Sequence, residues 1–239
     1  FGSGKSHFLK ILSYLLSNQE VCGKRAIDYF ADKFDDPMMY AQAVKSVSVP
    51  TQSILFNIDI EGPLTKDKTA VLRVFAKMFY NHCGFYGDDL KIAKLERFIE
   101  KQGKTQQFRE AFEKVNGAPW TETRDSFAFF EDDIVSVLQS TLGMSEQAAR
   151  NWFNGEETNE LSIAQLVADI QEYVDGKGKD FRLLFMVDEV GQYIGDDGDL
   201  MINLQSLVEE IGIRCHGKVW VMVTSQEAID SVVHITGND

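Results

Sequence analysis

The chain has 239 residues, enough to bury a substantial hydrophobic core in one domain or two. Its hydrophobic content of 44% and charged content of 26% are ordinary for a globular protein, and it lacks the roughly 18 uninterrupted apolar residues that a transmembrane helix requires. A formal net charge of −13 argues against this chain being the main electrostatic contact with nucleic acid, because phosphate binding needs clustered lysine and arginine.

The cysteines and histidines do not form a recognisable site. Cys22, Cys83 and Cys215 are odd in number and far apart, which fits reduced thiols in a cytoplasmic protein. The four histidines show no metal-ligand spacing with them. The chain shows no signal peptide, but it begins at Phe1 inside a motif, so we expect a fragment of a longer protein.

The first motif, Gly2-Ser3-Gly4-Lys5-Ser6, matches the second half of a phosphate-binding loop, G-x-x-x-x-G-K-[ST]. In such a loop, backbone N–H groups surround the phosphates, the lysine neutralises them and the serine hydroxyl coordinates Mg²⁺. Leucines at helical spacing follow, which predicts that the loop lies at the positive end of a helix. Taken alone, the string also fits a flexible linker. The predicted nucleotide-binding residues are Gly2, Ser3, Gly4, Lys5, Ser6 and His7.

The next segments predict two helices, a strand and a third helix. Residues 24–34 and 37–47 have helical patterns, the second beginning at Pro37. Apolar and polar residues then alternate over 53–61, which favours a strand at the edge of a sheet. An amphipathic helix is predicted over 65–80.

A long helical insertion follows this strand. About 120 residues separate Gly62 from Phe181, whereas a parallel crossover takes about 30 or slightly more. The apolar stripes of these helices are expected to form a core of their own rather than a ligand groove. The predicted helices span 88–101, 106–115, 126–142, 145–153 and a capped segment from Ser162 through Val174.

The second motif is the run Leu183 to Glu189. Its residues are apolar on both faces before they end in two carboxylates, which predicts a fully buried parallel strand. Asp188 is positioned to hold Mg²⁺ through water. Glu189 is placed to polarise an attacking water, a role that a protein which only bound nucleotide would not need. The two motifs therefore predict a site for a nucleoside triphosphate.

A third matching element comes after a helix predicted over 200–211. Residues 219–226 form another buried strand that ends in Thr224, Ser225 and Gln226. Ligands of open α/β sheets lie beyond the carboxyl ends of the strands, so we expect these groups to face the γ-phosphate. Gln226 is the first candidate for sensing that phosphate and Thr224 is the second. The other interpretation is an ordinary polar strand end before a helix cap.

The order of these elements indicates the fold class. A strand between the phosphate loop and the acid-ended strand resembles the additional-strand class of P-loop ATPases, which includes the AAA+ proteins. This resemblance implies an α/β fold with parallel strand order 5-1-4-3-2 and a large helical insertion, with strands 1 and 5 missing from the fragment. The expected parts are 1–62 and 181–239 for the nucleotide-binding core and 63–180 for the crossover helix and insertion.

Three stretches, residues 1–10, 185–194 and 220–228, resemble the large P-loop protein of bacterial BREX phage-defence systems, the BrxC/PglY family. The resemblance implies a cytoplasmic ATPase that uses ATP and Mg²⁺ in a complex with a DNA methyltransferase and other defence proteins. It also implies an oligomer that forms through nucleotide, no membrane association, and DNA contacts made outside this acidic segment. The implied site residues are those of the motifs above.

Two other functions fit the same sequence. One is a nucleotide-gated assembly module with little turnover, whose helical insertion docks partners. The other is a DNA-stimulated motor, which the acidic balance weighs against. A separate hypothesis concerns Asn57 and Glu61, which would hydrogen-bond Glu189 across the sheet and switch it off; the alternative is that they are solvated polar residues at a sheet edge.

Overall fold

A computed structural model of the chain describes residues 4–63, 65–154 and 160–225. Within these residues there are two compact units, one formed by the chain up to Val74 together with the chain from Ser162 onward, and the other formed by Phe75–Leu161. In chain order the elements are α1 (Lys5–Ser17), β1 (Glu20–Val21), β2 (Lys24–Arg25), a 3₁₀ helix (Ala26–Lys33), α2 (Pro37–Val47), β3 (Thr51–Asn57), α3 (Ile58–Glu61), α4 (Ala70–His82), α5 (Leu90–Lys101), α6 (Thr105–Asn116), α7 (Trp120–Thr123), a second 3₁₀ helix (Arg124–Phe129), α8 (Glu131–Leu142), α9 (Glu146–Asn154), α10 (Ile163–Gly176), β4 (Arg182–Asp188), α11 (Val190–Ile194), α12 (Gly198–Arg214) and β5 (Val219–Val223).

Strands β3, β4 and β5 form a parallel sheet in which β4 lies in the middle. The side chains from Leu183 to Val187 are all buried, as the unbroken apolar run predicts. Asn57 lies beside Asp188 in the register of β3 and β4. The three strands have the order expected for the corresponding part of the resemblance, and the α/β class is confirmed in this coarser form.

Helix α1 packs against one face of this sheet. Leu9 is buried against Leu184 and Met186, and a ring of partly buried residues completes the cluster: Leu12, Leu16, Leu55 and Met222. On the same side, the hydroxyls of Ser13 and Ser53 lie 2.7 Å apart and share a hydrogen bond. The helical spacing of the leucines after Lys5 thus accounts for the docking of α1 on the sheet.

The strand predicted over 53–61 is shorter than expected. β3 ends at Asn57, and one turn of helix, α3, takes over at Ile58. The Asn57 side-chain oxygen accepts hydrogen bonds from the backbone N–H groups of Asp59 (2.9 Å) and Ile60 (3.3 Å), so it caps that turn. Ile58 is consequently buried while Ile60 is 76% exposed, although alternation predicts that the two share a face.

The helix predicted over 24–34 is also wrong in kind. A short hairpin of β1 and β2 comes first, and only then does a 3₁₀ helix run from Ala26 to Lys33. The two turn residues, Cys22 and Gly23, both have positive φ (51° and 77°), as hairpins with a two-residue turn require. A cysteine at this position is not a usual turn signal, so the hairpin is hard to recognise in the sequence.

Most other predicted helices are confirmed, with two corrections. α2 has the predicted bounds, and α5, α6, α9 and α10 begin and end within two residues of theirs. The helix predicted from residue 65 begins only at Ala70, after a turn in which Asp67 binds the N–H and hydroxyl of Thr69. The segment predicted as one helix over 126–142 is divided at Phe130 (φ −121°, ψ 23°), which separates the second 3₁₀ helix from α8.

The helical unit has its own core, as predicted. Phe108 and Phe112 meet the Trp120 ring edge-on, with ring centroids 5.3 and 5.0 Å away. A carboxylate, Glu96, is buried beside them and accepts hydrogen bonds from the indole of Trp120 and the guanidinium of Arg124. In the ranges that the structure covers, no helix is long and apolar enough to cross a membrane.

Candidate functional site

The first part of the candidate site is the beginning of α1. Gly4 caps the helix in the left-handed conformation (φ 77°), which glycine adopts without the strain a Cβ would introduce. Lys5, Ser6 and His7 follow in the first turn, where Ser6 and His7 are exposed and Lys5 is half-buried. No side chain caps this end among the described residues. The first-turn N–H groups therefore remain available at the positive end of the helix. Gly2 and Ser3 lie outside the described residues.

Lys5 connects this helix to the end of the sheet. Its ammonium group donates a hydrogen bond to the backbone carbonyl of Ser225, two residues beyond the end of β5. Ser13, two turns further along α1, meets Ser53 near the start of β3. α1 therefore runs opposite to the parallel strands, and its N terminus lies at their carboxyl edge. This is the edge where open α/β sheets bind ligands.

The two predicted carboxylates lie at the same edge. Asp188 is the last residue of β4, and Glu189 precedes α11; both side chains are half-buried. Glu189 has left-handed backbone angles (φ 62°, ψ 30°), which are uncommon for a residue with a Cβ. Asp188 Oδ1 accepts one hydrogen bond from the Thr224 hydroxyl and another from the Glu189 N–H at 3.2 Å.

Thr224 and Ser225 bridge the two halves of the site. Thr224 contacts the carboxylate pair, and the Ser225 carbonyl contacts Lys5. The sequence identifies both residues as a polar strand end, but neither bond is predictable from it. Gln226, the first candidate for sensing phosphate, lies outside the described residues, so its role stays a prediction.

Gly191 allows α11 and Ser225 to pack closely at this edge. A Cβ built on Gly191 would lie 1.9 Å from the Ser225 Oγ, closer than any real contact. The Ser225 Oγ itself is buried and has no hydrogen-bond partner within the described part of the chain. Nothing in the sequence around Gly191, which is the second residue of α11, indicates this contact.

The structure gives Asn57 a different role from the one in the switch hypothesis. Its side-chain oxygen caps α3 by accepting hydrogen bonds from the N–H groups of Asp59 and Ile60, which the end of β3 leaves unpaired. The part of the hypothesis that concerns Glu61 stays a prediction.

A second polar cluster lies on α11, beyond Glu189. Lys66 Nζ donates to the Tyr193 carbonyl at 2.9 Å, lies 4.0 Å from the centre of the Tyr193 ring and is 3.9 Å from an Asp59 carboxylate oxygen. The Tyr193 hydroxyl is buried and has no partner among the described residues. Burial raises the pKa of this phenol, and the nearby carboxylates of Asp59 and Asp67 raise it further.

The sheet edge and the start of α1 offer two oxygen ligands that suit Mg²⁺, one from Asp188 and one from Ser6. No cluster of three or more His, Cys, Asp or Glu side chains suited to a metal occurs in residues 4–63, 65–154 and 160–225. Both described hydrogen bonds to Asp188 use Oδ1, which leaves Oδ2 for a cation. Mg²⁺ commonly takes one or two protein oxygens and completes its shell with phosphates and water, so Asp188 and the exposed Ser6 hydroxyl suit a metal that arrives with nucleotide.

No protein-family model matches this chain, and no solved structure matches it. The fold that the described residues support is a mixed α/β arrangement with three parallel strands and many helices.

Proposed function

We propose that the chain contains the ATP-binding and ATP-hydrolysing residues of a P-loop ATPase of the additional-strand class. One observation carries the proposal. The Lys5 ammonium and the Asp188–Glu189 pair lie at the same carboxyl edge of the sheet, joined through Thr224 and Ser225. A cationic helix N terminus opposite two carboxylates is the arrangement that phosphate and a hydrated cation need.

The residues at the helix N terminus bind the nucleotide. The first-turn N–H groups and Lys5 hold the phosphates, so the Lys5 ammonium exchanges the Ser225 carbonyl for a phosphate oxygen. Ser6 and Asp188 would hold Mg²⁺, which when bound neutralises charge on the phosphates. Gly2, Ser3 and His7 complete the predicted contacts of the loop.

Glu189 performs the acid–base step. Its carboxylate accepts a proton from water as the water attacks the γ-phosphorus, and the bond to the leaving ADP oxygen breaks. The left-handed turn at Glu189 directs the chain away from the strand directly after Asp188, so the two acids do not share the alternating geometry of a strand. Gln226 senses the γ-phosphate in this scheme.

The biological context of the proposal comes from the BREX resemblance alone. On that basis we propose a cytoplasmic defence complex with a DNA methyltransferase, in which ATP hydrolysis drives assembly or remodelling and nucleotide joins subunits. The net charge of −13 favours DNA contacts through other parts of the complex.

The test is ATP turnover by the full-length protein and its variants. Glu189→Gln should lower kcat at least about 100-fold and keep ATP bound, because a neutral amide cannot accept the proton. Lys5→Ala should abolish ATP binding. Glu209→Gln, which changes an exposed carboxylate on α12, is the matched control and should leave turnover unchanged. Unimpaired turnover in Glu189→Gln would remove Glu189 from this role.

A second candidate function is a nucleotide-gated assembly module. The observation in its favour is the helical unit Phe75–Leu161, which has a hydrophobic core of its own and is large enough to serve as a docking domain. Its signature is tight ATP binding with negligible turnover and an oligomer size that changes with nucleotide. Turnover that rises with duplex DNA would instead support a motor.

A further inference from the structure

Helix α11 has Glu189 at its beginning and is too short to be stable by itself. It has five residues, Val190–Ile194, and Glu189 is its N-cap. Isolated helices of this length do not form in water, so the position of α11 depends on tertiary contacts. The Tyr193 N–H donates to the Glu189 carbonyl at 3.0 Å, which joins Tyr193 directly to the residue that bears the acid. A contact that holds Tyr193 therefore also restrains the backbone of Glu189.

Lys66 provides such a contact at the C-terminal end of α11. Its ammonium group donates a hydrogen bond to the Tyr193 carbonyl at 2.9 Å. In a longer helix this carbonyl would accept from the N–H of Asp197, but that N–H donates to the Ile194 carbonyl at 3.1 Å. Lys66 thus supplies the missing donor. Its positive charge lies at the negative end of the helix dipole, where a cation is favourable.

The Tyr193 side chain contacts two residues of the segment that follows β3. The Lys66 ammonium lies 4.0 Å from the centre of the Tyr193 ring, close enough for a cation–π interaction. Gly62 approaches the same side chain so closely that a Cβ placed there would lie 2.7 Å from Cε2 and 2.9 Å from the hydroxyl oxygen. Tyr193 is correspondingly buried. The acid-bearing helix is therefore packed on the chain that leaves the strand next to β4.

The partners of Lys66 distinguish two roles for this lysine. A lysine that contacts phosphate directly uses its ammonium group as a point charge on the ligand. Here the ammonium is engaged by the Tyr193 carbonyl, the Tyr193 ring and an Asp59 carboxylate oxygen 3.9 Å away. Moving it to a phosphate would give up the cap of α11 and the ring contact together. The geometry favours action on Glu189 through the helix over direct binding of phosphate.

We propose that Lys66 is a positioning residue for Glu189, which caps α11, holds Tyr193 and thereby fixes the turn that carries the acid. This inference rests on the proposed ATPase function. Without the lysine, the Tyr193 carbonyl loses its donor and the ring loses its cation, so α11 shifts and Glu189 shifts with it. The proposed phosphate-binding groups lie at the start of α1, a different element, so ATP binding does not depend on this contact.

The experiment compares Lys66→Met, which keeps the apolar stem but removes the charge and the donor, with Lys66→Arg, which keeps both. The Lys66 side chain is 39% exposed, so the methionine variant should fold. In the full-length protein, Lys66→Met should lower kcat at least about 10-fold, because a displacement of about 1 Å from a distant mutation can cost about 100-fold. ATP affinity should change less than about threefold, and Lys66→Arg should restore kcat to within about fivefold of wild type.

Hydrogen exchange provides a readout that does not depend on turnover. The N–H groups of Tyr193 and Gly195 are bonded to carbonyls one turn earlier, so they exchange when α11 opens. The peptide spanning 190–197 should exchange at least about fivefold faster in Lys66→Met and near the wild-type rate in Lys66→Arg. Lys177→Met is the matched control. It removes another lysine–tyrosine contact, 4.8 Å from Lys177 Nζ to the centre of the Tyr173 ring, and should change neither kcat nor this exchange.

The outcomes separate this inference from the proposed function. A wild-type protein without turnover would refute the ATPase function, while exchange over 190–197 would still decide whether Lys66 holds α11. A normal kcat in Lys66→Met would overturn the positioning role, whether or not exchange becomes faster. A parallel loss of ATP affinity and kcat would overturn it too, since that result indicates direct contact with phosphate. If Lys66→Arg restored neither kcat nor exchange, charge and donor would not be what holds the helix.

Discussion

Glu96 in the helical unit and Asp188 at the end of β4 are two carboxylates with opposite kinds of surroundings. Glu96, in the helical unit, is 7% exposed and accepts hydrogen bonds from the Tyr86 N–H, the Trp120 indole and the Arg124 guanidinium. Asp188, at the end of β4, is half-buried and uses a single oxygen for its two bonds. The first acid is saturated by the protein, whereas no described residue donates a hydrogen bond to Oδ2 of the second.

The polar groups around Glu96 are also more fully paired than those around Asp188. Arg124 forms an ion pair with Glu96, and its guanidinium also lies 5.4 Å from the centre of the Tyr86 ring. Both groups of the ion pair therefore have further partners. Near Asp188 and Glu189, in contrast, two buried hydroxyls, those of Ser225 and Tyr193, have no partner among the described residues. Satisfied networks stabilise and specify a core, while incomplete ones concentrate at functional sites. Glu96 thus has the contacts of a structural acid, while Asp188 keeps the unused oxygen that the proposed ATPase function requires.

The largest effect is expected from breaking the satisfied network. Glu96→Leu removes the acceptor for Trp120 and leaves the Arg124 charge without its partner, so the free energy of unfolding should fall by about 3–5 kcal/mol. Urea unfolding followed by tryptophan fluorescence measures it, since Trp120 reports directly on this core. Glu100→Leu, at an exposed position of the same helix, is the control and should change stability by less than about 0.5 kcal/mol. A loss below about 1 kcal/mol for Glu96→Leu would show that the network is not what holds the unit together.

Local sequence patterns predict the parts of this fold that depend on local chemistry. The run from Leu183 to Val187 is apolar throughout, which is typical of a central strand that is buried on both faces. β4 is that strand. Asn57 shows the limit. The alternation on either side of it continues through Ile60, but one side-chain oxygen caps a helical turn and ends the strand. A pattern of apolar residues does not reveal which polar side chain will cap.

The candidate site also has a part that the sequence predicts and a part that it does not. Parallel strands place their carboxyl ends at one edge, so the proximity of Asp188, Glu189 and Thr224 is predictable from topology. The bonds from Thr224 to Asp188 and from Lys5 to Ser225 are not, because they join residues 36 and 220 positions apart. The need for glycine at 191 is equally invisible in sequence, since it depends on a side chain that arrives from another strand.

The next largest effect is expected at Gly191, which packs closely against Ser225. Gly191→Ala places a Cβ 1.9 Å from Ser225 Oγ, so Ser225 must move, and stability should fall by about 1–3 kcal/mol. Turnover should fall as well, because Ser225 adjoins Thr224 and contacts Lys5. Thermal unfolding and ATP turnover measure the two effects.

Gly212→Ala is the matched control for this substitution. Gly212 lies inside α12, and nothing lies within 4 Å of a Cβ placed there, so alanine should stabilise the helix by about 0.5–1 kcal/mol. Adding Ser225→Gly to Gly191→Ala removes the clashing atoms and should recover most of the lost stability. If the double variant is no more stable than Gly191→Ala, the clash is not the cause.

The smallest effect is expected at the Tyr193 hydroxyl, and its sign is what matters. Tyr193 is 2% exposed and its hydroxyl has no partner among the described residues, so Tyr193→Phe removes a desolvated polar group and should leave stability unchanged or raise it by up to about 1 kcal/mol. Tyr173→Phe is the opposite case in the same unit, because the Tyr173 hydroxyl bonds to Gln52 at 2.7 Å, and it should cost about 1 kcal/mol. Thermal unfolding of both variants gives the sign. A clear loss for Tyr193→Phe would mean that its hydroxyl has a partner in solution, and the contrast with the Glu96 network would then rest on Ser225 alone.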